Sequence, residues 1–430
     1  MLARFAVGAA FCRLGPGALV ALCCATGLTP TIASRRPAMP VAASAAAMPE
    51  GRELPRIWRW ARDRQIREVR LAPDASCIAV LTVAPPSANP PDLTIVVIDA
   101  ADGRPRWESP LPRDTGWARA LAAAPGCRWV VMGTAPERAE RGVSTRLLTI
   151  GPSGVRTLAE LNGVVESVSV SPQGDAIAAG LDYAADEVNV QLLAPDGRVR
   201  WRRAVSTYRT PQVSFSRDGG FVIVTRWFGV GVLSARDGRC AWGAPGDADS
   251  AAGDLWRSID ASDDVQWFAA HYAPMHGPQG GSTGLLRADG TAAWRRGPYW
   301  EPDAIVAPDG SFAVIAGAEM SEPSEPEAPD VRWRVIDRAG RLLAERPAGG
   351  RLLFVSANRD LIVAQDENAH ALLVFDRALM IVARAPLARP VWSRAAGLVV
   401  GYGVDGARGL DTIDAYRLPR NGAPPVGAQK

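Results

Sequence analysis

Lysine is almost missing from this chain: Lys430 stands alone beside 47 arginines in the 430 residues, the two together making the 48 basic side chains. We assign that bias to the base composition of the genome rather than to phosphate binding. Histidine is nearly as scarce, with only His271, His276 and His370, so a metal or catalytic centre built on several imidazoles has little to draw on. No apolar run reaches the roughly 20 residues that a membrane-spanning helix requires. The six cysteines are Cys12, Cys23, Cys24, Cys77, Cys127 and Cys240, and the last three are widely spaced, a pattern that suggests neither a disulfide framework nor a zinc site.

Acidic residues are absent from positions 1–47, which hold Arg4, Arg13, Arg35 and Arg36 around the apolar run from Gly17 to Ala25. A basic start, a short apolar core and small residues at the exit are the pattern of a secretory signal. Cleavage is expected after Ala33 or Ala47. A lipid anchor at Cys23 is disfavoured because Leu22 precedes it where lipidation needs a small residue. Removing this leader takes 4 of the 48 basic residues and leaves 44 against 45 acidic ones. A near-neutral body lacks the electrostatic footing for nucleic acid. We therefore expect a leader over 1–47, a folded body over 53–419 and a disordered tail over 420–430.

The body is repetitive. From Val168 to Arg203 the sequence reads as four short strands, with turns at Ser171-Pro172-Gln173-Gly174 and Pro195-Asp196-Gly197. Such a sheet has two apolar faces and must be stacked between copies of itself. Turn markers at Pro73, Pro125, Pro172, Arg217, Ser262, Pro308 and Ala357 recur at intervals of 52, 47, 45, 45, 46 and 49 residues. That is the period of propeller blades. A second marker, Asp-Gly followed by Trp at an Asp-to-Trp offset of five, occurs as Asp102 to Trp107, Asp196 to Trp201, Asp237 to Trp242 and Asp289 to Trp294. Weaker copies at Gly154 and Gly340 have Leu158 and Ala344 at the tryptophan position. The expected role of these tryptophans is packing between neighbouring blades.

The last repeat, Val391 to Pro419, supplies only three strands, and Leu54 to Trp60 reads as the missing fourth. Pairing the two ends would remove the free sheet edges. The expected fold is all-β: one propeller of eight four-stranded blades, with seven as the alternative, and about 48 residues per blade. A body of this size buries roughly three quarters of its surface and is expected to fold without metal or disulfide.

The four segments DGRPRW, DGRVRW, DGRCAW and DGTAAW resemble the outer-strand signature of pyrroloquinoline-quinone-like repeats. SPQG and APDG resemble the first turn of repeats in periplasmic Trp-Asp-type propellers. The resemblance implies an eight-bladed propeller, in a family that includes quinoprotein dehydrogenases and non-catalytic assembly lipoproteins of the bacterial outer membrane. The quinoproteins use adjacent disulfide-bonded cysteines, and here the one adjacent pair, Cys23-Cys24, falls in the leader. No cofactor and no metal are expected.

Two local motifs are read as structural. His271 and His276 are placed in a polar loop, and Gly280-Gly281-Ser282-Thr283-Gly284, which matches G-x-S-x-G, in a flexible linker with no helix to form a nucleophile elbow. Long connections are expected over Ala84 to Asp92, Ala135 to Ser144, Tyr272 to Thr283 and Ala318 to Asp330, all on one face, which suggests a binding surface there. At the start of each innermost strand stand charged or aromatic residues: Arg67, Glu68, Arg119, Glu166, Trp256, Arg257, Glu301, Asp303, Arg351 and Trp392. These form the candidate contact set at the mouth of the central channel. The resulting expectation is a monomeric, exported, non-enzymatic scaffold that binds a protein or peptide. The alternative is an enzyme at the channel mouth, either quinone-dependent or a hydrolase or lyase.

Overall fold

The computed structural model describes residues 52–419 except 85–91, 116, 136–142, 183, 185–187, 206–210, 227–228, 246–253, 275–279, 290, 320–329, 358–360, 367–368, 395 and 406–409. At some strand positions, among them Trp117, Trp242, Trp256, Arg257, Trp300 and Glu301, only the backbone is described. The expected leader and tail lie outside the described residues.

The described chain is all β, with two single-turn 3-10 segments at Arg113–Thr115 and Pro125–Cys127. The strands form meanders in which spatial order follows sequence order. Gln65–Leu71, Cys77–Val83, Leu93–Asp99 and Pro105–Pro110 make the first such sheet. Its middle strands, CIAVLTV and LTIVVID, are predominantly apolar and almost wholly buried, as strands covered on both faces must be. Outer strands differ: in Val199–Arg203 only Trp201 is buried.

Three features depart from a simple series of four. Ala292–Val306 is one continuous strand that ends one meander and begins the next, so two groups of four merge into a seven-stranded sheet. In the last sheet the outer strand is Arg56–Arg62, which pairs antiparallel with Leu410–Arg417. Arg59 Nε holds Asp414 Oδ1 at 2.7 Å across that pairing. Just upstream, Arg52–Glu53 adds parallel to Ile381–Pro386 on the preceding sheet, and Leu54 is buried behind it.

The core is correspondingly divided. Eight apolar clusters each draw on two successive groups of four strands. One of them joins Trp58, Ile413 and Ala415 of the last group to Val69, Val80 and Val96 of the first.

The Asp-Gly to Trp repeat explains how the groups are held in register. Trp58, Trp201 and Trp294 donate their indole N–H to the carbonyls of Ala100, Ala235 and Asp337, at 3.0, 3.1 and 2.8 Å, each in the next group of four strands. The acceptor stands where the third strand of that group turns into the fourth. There the turn glycine lies flat on the indole: a Cβ on Gly103 would meet Trp58 Cδ2 at 2.7 Å, and one on Gly238 would meet Trp201 Cδ2 at 2.7 Å. These glycines also hold φ of +75° and +68°. Glycine is thus required twice, by conformation and by space. The aspartate closes the same turn, Asp237 Oδ1 accepting the Arg239 N–H and Asp196 Oδ1 the Arg198 N–H. The expected inter-blade packing of Trp107, Trp201 and Trp294 is what is found; the Trp242 side chain lies outside the description.

One expectation is overturned. Cys77 and Cys127 form a disulfide, with Cα atoms 6.1 Å apart, that ties the second strand of the first sheet to the first turn of the second. Their separation of 50 residues is close to one repeat, so successive repeats bring the two positions side by side. Wide spacing argued against a compact framework but not against a single bridge between repeats. Trp107 reinforces the same seam by donating to the Cys127 carbonyl at 3.0 Å.

Two outcomes follow for stability. Gly238→Ala is expected to cost roughly 1–3 kcal/mol, since it places a Cβ into the Trp201 ring at a left-handed φ; a thermal midpoint within a degree of wild type contradicts the seam described. Cys77→Ala with Cys127→Ala is expected to cost about 2–4 kcal/mol, and added reductant should then lower the midpoint of the wild type but not of the variant.

Candidate functional site

The first strand of each group forms the inner edge of its sheet. Gln65–Leu71 lies against Trp117–Ala123, which lies against Val164–Val170, which lies against Gln212–Phe215. The strand Pro390–Ser393 in turn lies against Gln65–Leu71. These strands begin at the same end as the connections between second and third strands: Gln65 pairs with Val83, the last residue before the 84–92 connection. The opposite end carries the short first turns and the Asp-Gly turns.

Most of the first strands share an irregularity that the sequence did not disclose. Register shifts fall between Ile66 and Glu68, Ala118 and Ala120, Val165 and Ser167, Trp256 and Ser258, and Trp300 and Asp303. A further shift falls between Leu352 and Phe354. The extra residues are Arg67, Arg119, Glu166, Arg257, Glu301 with Pro302, and Leu353. Measured to the turn markers above, the displaced charged residue lies six positions ahead at Arg67, Arg119 and Glu166, five at Arg257 and seven at Glu301. A bulge takes one residue out of the ladder and re-aims its side chain. On an inner edge strand the direction freed is away from the packed faces. The signal available in sequence was a charged residue five to seven positions before the turn.

Five of the ten expected contact residues therefore share one structural position: Arg67, Arg119, Glu166, Arg257 and Glu301. Arg67 and Arg119 are exposed on adjacent strands. Glu166, on the next strand, is half-buried. Burial raises its carboxyl above the ordinary value; Arg119 opposes the shift and Asp182 adds to it.

The other five are placed differently. Glu68 sits in the ladder opposite Leu81 and pairs with Arg70 of its own strand at 2.7 Å, and burial raises its carboxyl against that pairing. Trp256 has a regular partner in Tyr272. Asp303 is opposite Ala316, and its Oδ1 accepts the Ala304 N–H at 2.9 Å. Arg351 opens its strand and is exposed. Trp392 is corrected: it is the third residue of Pro390–Ser393, towards the turn end rather than the mouth, and stacks on Phe354 with ring centroids 5.6 Å apart.

Two motif readings also change. His271 lies within the strand Trp267–Pro274 and is buried, not in a loop. Gly280–Arg287 is a paired strand rather than a linker, and its Ser282 accepts a hydrogen bond from Arg295 Nε at 2.6 Å. Thr283, Leu285 and Leu286 are buried there, as in a covered strand. These strands shorten the expected Tyr272 to Thr283 connection, and Phe312–Glu319 likewise claims Ala318 and Glu319. The central residues of all four expected long connections lie outside the described set. Among the described residues no group of three or more His, Cys, Asp or Glu is arranged to hold a metal.

The raised Glu166 carboxyl gives a signed expectation. A folded-state value above the unfolded one means that its contribution to stability is present at low pH and is lost as pH rises through the folded value. Glu166→Gln should therefore gain thermal midpoint relative to wild type as pH rises above the ordinary carboxyl value of about 4. A difference that stays flat above that value removes Glu166 as a titrating group of the mouth.

No protein-family profile and no curated protein matches the chain. Solved structures do. The chain is similar to BamB from Moraxella catarrhalis, at 12% identity and a TM-score of 0.51 over 86% of this chain and 99% of that one. It is similar to Sqt1 from Chaetomium thermophilum, at 13% identity and a TM-score of 0.55 over 85% and 100%. It is also similar to the C-terminal WD40 domain of Sif2, at 13% identity and a TM-score of 0.50 over 86% and 100%. Sheets in sequence order, apolar seams between them and these likenesses together identify the fold as a β-propeller.

Proposed function

We propose that this is an exported, eight-bladed β-propeller scaffold that binds a protein or peptide on the face where its first strands begin. The observation that carries the reading is the set of inner-edge bulges, which bring Arg67, Arg119, Glu166, Arg257 and Glu301 to one equivalent level around the channel mouth. Strand bulges that are repeated and charged serve a surface rather than a core, because a core gains nothing from charged side chains.

Eight blades and a closed ring are supported by the eight apolar clusters and by the pairing of Arg56–Arg62 with Leu410–Arg417. Export is supported by the acid-free leader and by the disulfide Cys77–Cys127, since such bonds persist in oxidising compartments. The near-neutral body favours a polypeptide partner over nucleic acid. The Asp-Gly to Trp repeat keeps the kinship with pyrroloquinoline-quinone-like repeats as part of the proposal. A catalytic role at the mouth is the second reading, favoured by one observation: Glu166 holds its proton to higher pH than an ordinary carboxyl and lies close to Arg119.

The test is site-specific photo-crosslinking in the native compartment. Probes at Arg67, Arg119 and Arg351 are expected to capture the same polypeptide, and probes at Arg104 and Arg198, exposed at the Asp-Gly turns, none. Capture from the turn positions alone, or from none of the five while the protein is folded, rejects the reading.

A further inference from the structure

At the turn end of the channel, most polar contacts run from one blade to the next. Gly126 donates its N–H to Asp74 Oδ2 at 2.8 Å, and Gln173 Nε2 donates to the Asp218 carbonyl at 3.0 Å. Arg217 Nη1 reaches Asp263 Oδ2 at 2.6 Å, and Asp263 donates its N–H to the Pro308 carbonyl at 2.7 Å. The Ala357 N–H meets the Arg394 carbonyl at 3.2 Å. Each of these follows the ring.

Arg394 does something else. It stands just past Pro390–Ser393, the first strand of the last blade. Its Nη2 lies 2.7 Å from both carboxylate oxygens of Asp260, and its Nη1 donates to the Ala261 carbonyl at 2.9 Å. Asp260 and Ala261 end the first strand of the fifth blade, 134 and 133 residues away in sequence. Asp260 Oδ2 also accepts the Val306 N–H of the sixth blade at 2.9 Å. Among the described residues this is the one hydrogen-bonded ion pair that skips neighbouring blades.

We propose that Arg394 and Asp260 form a strut that spans the central channel at its turn end and ties the last blade directly to the fifth and sixth. The inference uses the blade order proposed above but not the partner. Both side chains are largely sheltered, with 17% and 25% exposure, so solvent screens their attraction less than that of a surface pair. The planar guanidinium holds a carboxylate and a carbonyl together, which a lysine ammonium does less well. Removing Arg394 leaves the sheltered Asp260 carboxylate without its counter-charge, whereas removing Asp260 leaves Arg394 only the longer contact with Asp263 Oδ1 at 3.9 Å.

Hydrogen–deuterium exchange on the full exported chain reads this directly. Arg394→Ala should speed exchange on the order of tenfold at 261–266 and at 306–307, in blades five and six, while 72–77 and 126–131 stay as in wild type. The reversed pair, Arg394→Asp with Asp260→Arg, should restore part of the protection. Arg394→Lys, which keeps the charge, should fall between wild type and alanine and serves if the alanine variant does not fold. Faster exchange confined to 390–398, or a reversed pair no better than the single variants, overturns the strut. Because the mouth residues are untouched, crosslinking from Arg67 reports separately on the partner reading.

Discussion

Everything in this propeller depends on how one sheet recognises the next, and the interaction that does so is an indole lying against a bare glycine. Trp58 under Gly103 and Trp201 under Gly238 combine apolar area, a hydrogen bond to a turn carbonyl and a contact too close for any Cβ. A purely apolar face is non-directional, and two such faces slide. The indole N–H fixes the slide, because it meets its carbonyl at only one relative height. Where the tryptophan is replaced, the geometry persists in weaker form: Leu158 occupies that place beside Gly197, where a Cβ would lie 2.2 Å from the Leu158 carbonyl oxygen.

The sequence disclosed this architecture because repetition amplifies weak signals. A single DGRVRW says only that a turn precedes a strand, whereas four copies at one offset specify a device. The same holds for the turn markers near Pro73, Pro125 and Pro172. The terminal strand around Trp58 was legible for the same reason, since it repeats the outer-strand pattern without its predecessors. Motifs judged singly fared worse. Gly280 to Gly284 has the composition of a linker, but its place in a repeat, between the strand Trp267–Pro274 and the Trp294 turn, requires a third strand. Cys77 and Cys127 were judged by their spacing in the chain instead of their spacing in the repeat.

The inner-edge positions were legible in the sequence, and the irregularity at them was not. Arg67, Arg119 and Glu166 were recognised as charged residues at the start of inner strands, and the bulges that set them apart from Glu68 and Asp303 were not. A bulge leaves no compositional mark, since a displaced arginine and a paired one are the same letter. It shows only when register is known. Trp392 was misplaced for a related reason: its strand is four residues long, so an error of two positions carries it from one end of the channel to the other.

The last sheet takes its outer strand from the opposite end of the chain. Arg59 and Asp414, which meet across that pairing, are 355 residues apart in sequence. The sheet before it also receives the two-residue strand Arg52–Glu53 from that end, and the remaining sheets are built from strands consecutive in the chain. The last one waits for the final strand, Leu410–Arg417, to be made, and until then Trp58 and Trp60 have no partner sheet on that side. The loop entropy of so distant a pairing rises only slowly with its length, so the delay is a matter of order more than of energy. The strand that is made first, Arg56–Arg62, is thereby engaged last, and its edge stays unpaired until Leu410–Arg417 exists.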